Sequence, residues 1–236
     1  MFDFRARGSG RGAAGRRDPA PPSRLLTASE VVRFPAEYAS GWLLDRWPAR
    51  DLGLGRPVLL LPGFGASART TDRLRSHLDL RGWTTYAWQP GPDRGLTDDV
   101  VDGVLSRLDE VHVAEQHPVD VVGWSSGGLL ARWLGHQRPC RVRSVVTLAS
   151  PFRPDATSPP APPMSQRAGT AVDQLCGPLP VPTTAIWSKT DGIVGWRGCR
   201  VEESETARNV SVPSSHLGMT SNPFALAALT RALVEP

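Results

Sequence analysis

A dense apolar run, Val119-Asp120-Val121-Val122-Gly123-Trp124, is broken only by Asp120 and passes through Ser125-Ser126-Gly127-Gly128 into Leu129-Leu130. The pattern predicts a buried strand, a turn too tight for side chains on either flank, and a helix. Similar units lie on both sides of it. Pro57-Val58-Leu59-Leu60-Leu61 reads as a fully buried strand, followed by the glycine-rich turn Pro62-Gly63-Phe64-Gly65-Ala66-Ser67 and a helix through Leu74, Leu78 and Leu80. Trp83–Trp88 alternates and is rich in β-formers. Thr97, Asp98 and Asp99 open a long helix that carries Val100, Val101, Val104, Leu105, Leu108 and Val111 on one face and stops before Pro118. Further strands are predicted over Val142–Ala149, Thr183–Ser188 and Asn209–Val212, and a closing helix over Phe224–Leu233. Strands alternating with helices at such short spacing predict a mostly parallel central sheet with helices on both faces.

Three stretches depart from this rhythm. Residues 1–22 are rich in Gly, Ala, Arg and Pro without apolar period and read as a disordered basic tail. Residues 23–56 form an N-terminal helical segment. Its Leu25, Leu26, Val31, Val32, Phe34, Tyr38, Trp42, Leu43, Leu44 and Trp47 fall partly at helical spacing, interrupted by Pro35. The plain expectation is one or two helices packed on the domain; a helix lying on a membrane surface is the sharper alternative. Residues 151–182 contain nine prolines among 32 positions, which predicts a short irregular cap-like excursion. The main domain is then 57–236.

Composition narrows the picture. A hydrophobic share of 40% and a charged share of 21% fit one globular domain. The formal charge of +4 comes from the tail, where Arg5, Arg7, Arg11, Arg16 and Arg17 lie, so it points to no nucleic-acid partner. No apolar run is long enough to cross a membrane, and none follows the first arginines as a secretory leader would require. Three cysteines make no disulfide framework, although a Cys176–Cys199 bridge is conceivable. A cytoplasmic protein is expected, without stable membrane insertion. No His-Glu-x-x-His or paired Cys-x-x-Cys is present, no Gly-x-Gly-x-x-Gly opens a predicted helix, and no cofactor or metal is expected.

Four pieces carry a resemblance: Leu61-Pro62-Gly63-Phe64-Gly65, Gly123-Trp124-Ser125-Ser126-Gly127-Gly128, Thr190-Asp191-Gly192-Ile193-Val194 and Ser215-His216-Leu217-Gly218. In this order, each after a strand, they resemble the α/β-hydrolase superfamily, especially its small lipase- and esterase-like members, from about Pro57 onward. The resemblance implies an α/β-hydrolase fold and a serine hydrolase acting on a small-molecule carboxylic ester. Ser125 would be the nucleophile, His216 its general base and Asp191 the acid that orients the imidazole. The oxyanion would be held by the backbone N–H groups of Phe64 and Ser126, each donor worth about 3–4 kcal/mol of barrier. Where many members have His-Gly in the first loop, this chain has Pro62-Gly63, so the hole's outer support differs.

Alternatives stand beside each assignment. Asp-Gly is a common turn pair, and Asp173 could supply the acid instead of Asp191. His216 could be a surface-loop histidine; His77, His112 and His136 fall in predicted helices and His117 at a helix end. Ser126 is not the central serine of the pentapeptide, and Trp124 reads as core. A thioesterase or acyltransferase would use the same residues, and a non-catalytic binding protein would keep the fold alone. The short excursion predicts an open site and short- or medium-chain esters.

Overall fold

Six strands line up in the order β2-β1-β3-β4-β5-β6, every neighbour pair parallel: β1 (Pro57–Leu61), β2 (Thr84–Ala87), β3 (Val119–Trp124), β4 (Val142–Leu148), β5 (Thr183–Trp187) and β6 (Ala207–Ser211). Among the described residues five α-helices accompany them: α1 (Arg24–Leu44), α2 (Asp72–Asp79), α3 (Asp98–Glu115), α4 (Gly127–Gln137) and α5 (Pro223–Val234). The structure is a computed structural model and describes residues 21–46, 50–63, 65–66, 68–88, 97–152, 175 and 177–236. The tail as far as residue 20, most of the proline-rich excursion, Phe64, Asp173 and Cys176 lie outside the described residues.

The inner strands β1, β3, β4 and β5 are largely apolar because they are covered on both faces, as parallel sheets generally are, whereas the edge strands β2 and β6 are only partly buried. In β1 the side chains of Val58 and Leu60 join one core with Leu74 and Leu78 of α2 and Leu226, Leu229 and Leu233 of α5. Leu59 and Leu61 join the other, with Val104 and Leu108 of α3 and Leu130 and Leu134 of α4. All four β1 side chains are fully buried, a contribution of about 2 kcal/mol each relative to exposure. Asp120, which breaks the apolar run of β3, is also fully buried. It accepts hydrogen bonds from Arg143 Nη1 at 3.0 Å and from Ser144 Oγ, both on the neighbouring strand. Burial, only partly offset by those donors, pushes its carboxyl above the usual range.

The order of strands reverses between β1 and β3. β1 sends the chain outward to β2, which returns through α3 to β3 on the far side of β1. A crevice opens at the carboxyl ends of strands at such a switch point, which is where open α/β sheets place ligands. The turn after β1 and the turn carrying Ser125 both end there.

Most boundaries follow the sequence pattern within two residues. α3 ends at Glu115, before Pro118, because Gln116 adopts the left-handed conformation at φ 57° and closes the helix. α5 starts at Pro223, whose missing N–H costs nothing in the first turn, with the Asn222 side chain accepting from Phe224 N at 2.9 Å. α1 departs from expectation. It is one helix through Pro35; Leu44 at its end packs against the core, but Leu25, Val31 and Val32 are 84%, 75% and 78% exposed. Pro35 lies on that exposed side, where water can serve the carbonyl four residues earlier. No helix among the described residues is long and apolar enough to cross a membrane.

Candidate active site

Ser125 follows β3 directly and has φ 54°, a left-handed backbone that a non-glycine residue adopts only under constraint. The constraint comes from its neighbours. A Cβ on Gly123 would stand 2.3 Å from the Gly127 carbonyl oxygen, and one on Gly127 would stand 2.3 Å from the Leu61 carbonyl oxygen. Only glycine allows α4 to start this close to β1 and β3, and that closeness forces the sharp turn. Ser125 N donates to Leu148 O at 2.8 Å, anchoring the turn to β4. Ser126 follows as the residue before the first turn of α4, so its N–H stands at the N-terminal end of that helix. Gly63, at the end of β1, sits against Ser125: a Cβ there would meet the Ser125 Cβ at 3.2 Å.

Two other loops converge on the serine. His216 follows β6, is 4% exposed, and its Nε2 lies 3.1 Å from Ser125 Oγ. Its Nδ1 lies 2.8 Å from Asp191 Oδ2. Asp191, also 4% exposed, follows β5. A carboxylate can only accept, so Nδ1 carries the proton and Nε2 of the neutral ring is left to accept from the serine hydroxyl. The other carboxylate oxygen, Oδ1, accepts from Ile193 N at 2.8 Å and Val194 N at 2.7 Å, which fixes the carboxyl plane. Trp124 is buried as expected, and its Nε1–H donates to the His216 carbonyl at 3.2 Å. Its ring lies 5.5 Å from the imidazole, so it also backs the histidine.

Ser125, Asp191, His216 and Ser126 are thus brought together. Phe64 and the alternative acid Asp173 lie outside the described residues, as does Cys176 of the conceivable disulfide; Cys199 is buried with Sγ 3.8 Å from the Gly195 carbonyl. The other histidines stand apart from the serine. His77 is buried between α2 and α5, with Nδ1 2.7 Å from Asp45 Oδ1 and Nε2 2.9 Å from Thr230 Oγ1.

Sequence reasoning did not single out the polar face of α1. Thr27, Glu30, Arg33 and Glu37 recur every three or four residues and touch both site loops. Thr27 Oγ1 donates to Gly192 O at 2.6 Å, and Arg33 Nη1 to Thr190 O at 2.7 Å. Glu30 accepts from Gly192, His216 and Leu217, and Glu37 from Ser215. The spacing itself was visible, as a polar stripe of helical period set into an apolar helix.

Known proteins share the fold. The chain is 30% identical over 95 residues to a pimeloyl-(acyl-carrier protein) methyl ester esterase of Neisseria meningitidis, covering 40% of this chain and 30% of that protein. It is 30% identical over 106 residues to the enzyme so named in Shewanella woodyi, covering 42% and 38%. The chain therefore spans well under half the length of the curated relatives it matches. Among solved structures, Aspergillus fumigatus lipase B superposes with a TM-score of 0.63 at 19% identity, covering 78% of this chain and 54% of the lipase. A monoacylglycerol lipase of Paleococcus ferrophilus superposes with a TM-score of 0.59 at 15% identity, covering 79% and 94%. At such identities the likeness is one of fold. The family model described as the alpha/beta hydrolase family matches residues 58–235, three-quarters of the sequence, and the chain belongs to that family.

Proposed function

We propose that the protein is a serine hydrolase of carboxylic esters working through an acyl-enzyme on Ser125. The observation that carries this reading is the unbroken series Asp191–His216–Ser125, with contacts of 2.8 and 3.1 Å, at the carboxyl ends of three parallel strands. A serine hydroxyl is a weak nucleophile until a base takes its proton during attack. Nε2 of His216 is within reach to do so as Oγ bonds to the ester carbonyl carbon. Asp191 keeps Nδ1 protonated and stabilises the imidazolium that results. The carbonyl oxygen becomes an oxyanion beside the N-terminus of α4, where Ser126 N–H is one donor and, by its place in the first loop, Phe64 N–H is the other. On collapse the carbon–oxygen bond to the alcohol breaks, and His216 returns its proton to the leaving oxygen. Water repeats the sequence on the acyl-serine and frees the acid.

The methyl ester named for the Neisseria and Shewanella relatives is a carboxylic ester, in keeping with an ester substrate here. The test is labelling with a fluorescent fluorophosphonate, which reacts only with a serine activated in this way. Wild type should label, and Ser125→Ala and His216→Ala should not. Labelling of folded Ser125→Ala at the wild-type level would refute the assignment, and so would a folded wild type that fails to label or to hydrolyse any ester of a chain-length series.

A further inference from the structure

The carboxylate of Glu30 is 2% exposed, belongs to α1, and makes no contact with the serine. Its Oε1 accepts from Gly192 N at 2.7 Å and from His216 N at 2.8 Å; its Oε2 accepts from Leu217 N at 3.0 Å. One oxygen atom thus bridges the backbone of the residue after Asp191 and the backbone of His216 itself. Taking a carboxylate out of water is costly unless its lone pairs are filled, and three N–H donors from two loops fill them here.

We infer that Glu30 is a positioning residue that holds the Asp191 loop and the His216 loop in register, so that the Asp191–His216 hydrogen bond forms at its reactive length. The inference rests on the hydrolase reading above and extends it to a helix outside the family match, which starts at residue 58.

The surrounding contacts are built for the same docking. Glu37, two turns further along α1, accepts from Ser215 N at 3.0 Å and from Ser215 Oγ, and is paired with Arg33 at 3.2 Å. Arg33 in turn reaches the carbonyl of Thr190, the residue before Asp191. Glycines admit the helix: a Cβ on Gly192 would meet Leu26 O at 2.4 Å, and a Cβ on Gly218 would collide with the Glu37 carboxylate. The loops also bind each other through Thr190 Oγ1 and Ser214 O at 3.1 Å, but among the described residues it is the Glu30 side chain that joins Gly192 N to His216 N. Misplacement of a reacting group by about 1 Å costs on the order of 10²-fold in rate, so a clamp on both loops acts on turnover.

The experiment compares wild type with Glu30→Gln and Glu30→Ala, at a temperature where near-ultraviolet dichroism shows each fully folded. Glutamine keeps one oxygen able to bridge Gly192 and His216 but presents an NH2 group to Leu217; alanine removes all three acceptors. With p-nitrophenyl acetate as probe substrate, kcat should fall roughly 10-fold in Glu30→Gln and roughly 100-fold in Glu30→Ala, with KM changed by less than about 3-fold. The far-downfield proton resonance of His216 Nδ1–H should weaken in the same order. If the alanine variant does not fold, the glutamine variant carries both readouts.

Folded variants with wild-type kcat and an unchanged resonance overturn the inference, whatever their melting temperatures, because Glu30 would then only add stability. A change confined to KM overturns it as well. A wild type that hydrolyses nothing, yet whose Nδ1–H resonance is lost on replacing Glu30, would refute the ester-hydrolase reading and uphold the clamp.

Discussion

His77 ties three helices together, and its burial makes the fold sensitive to acid. The ring is 1% exposed and lies between Asp45 at the end of α1, Arg73 and Arg81 beside it, and Thr230 on α5. Burial is the largest influence and lowers its pKa; the Arg81 charge lowers it further, and Asp45 only partly restores it, leaving the group at about 4 against an ordinary 6.5. Between those two values the unfolded chain takes up a proton that the folded chain refuses, so stability rises with pH across the window. The contribution is fully present above 6.5 and is lost as pH falls to about 4. At 1.36 kcal/mol per pH unit, with both states titrating, the loss is roughly 1 kcal/mol at about pH 5.5 and roughly 3 kcal/mol at about pH 4. Urea unfolding of wild type and of His77→Gln, from about pH 7.5 down to about pH 4, isolates this group from the carboxylates that titrate in both proteins. The two curves of unfolding free energy against pH should converge by those amounts as acid is added. Parallel curves, or a His77 imidazole seen by NMR to titrate near 6.5, would refute the reasoning.

Other substitutions probe the site and its frame. Asp191→Asn should leave the fold intact and lower kcat by about 10⁴-fold, because its amide oxygen would take the Ile193 and Val194 N–H groups and its NH2 would donate to Nδ1, favouring the tautomer whose Nε2 is protonated and cannot accept from Ser125; steady-state kinetics on p-nitrophenyl acetate reads this directly. Gly127→Ala puts a Cβ 2.3 Å from Leu61 O at the turn that exposes Ser125, so it should yield little folded protein or cost several kcal/mol by urea denaturation. Asp120→Ala strips Arg143 and Ser144 of their shared acceptor at the start of β3 and should cost about 3–5 kcal/mol by the same measurement, with kcat of the folded fraction unchanged. In a series of p-nitrophenyl esters, kcat/KM should peak at short or medium acyl length.

Legibility followed the range of the interaction. The β-strands announced themselves because strands covered on both faces are nearly all apolar, and the serine turn because a close approach of α4 to β1 admits only glycine at positions 123 and 127. Those are local demands, written in consecutive residues. His216 stood out as the histidine in a loop after a late strand. Asp191 could only be ranked against Asp173, since the choice of acid depends on which carboxylate reaches Nδ1 across β5 and β6, a distance of 2.8 Å that no spacing encodes.

Strand–helix alternation, the apolar composition of the central strands and the glycines of the Ser125 turn are local and can be read from consecutive residues. The seat of α1 is visible only in three dimensions. Leu25, Val31, Val32 and Trp42 fall partly at helical spacing in a segment expected to pack on the domain, yet all four are exposed, and the helix docks on the site loops through Glu30, Arg33 and Glu37. The physical reason is a demand that the helix's own sequence does not contain. The loops carrying Asp191 and His216 have backbone N–H groups with no strand partner, and a buried donor must find an acceptor. The carboxylates of α1 meet that demand, so hydrogen-bonding need on one part of the chain overrode apolar pattern on another.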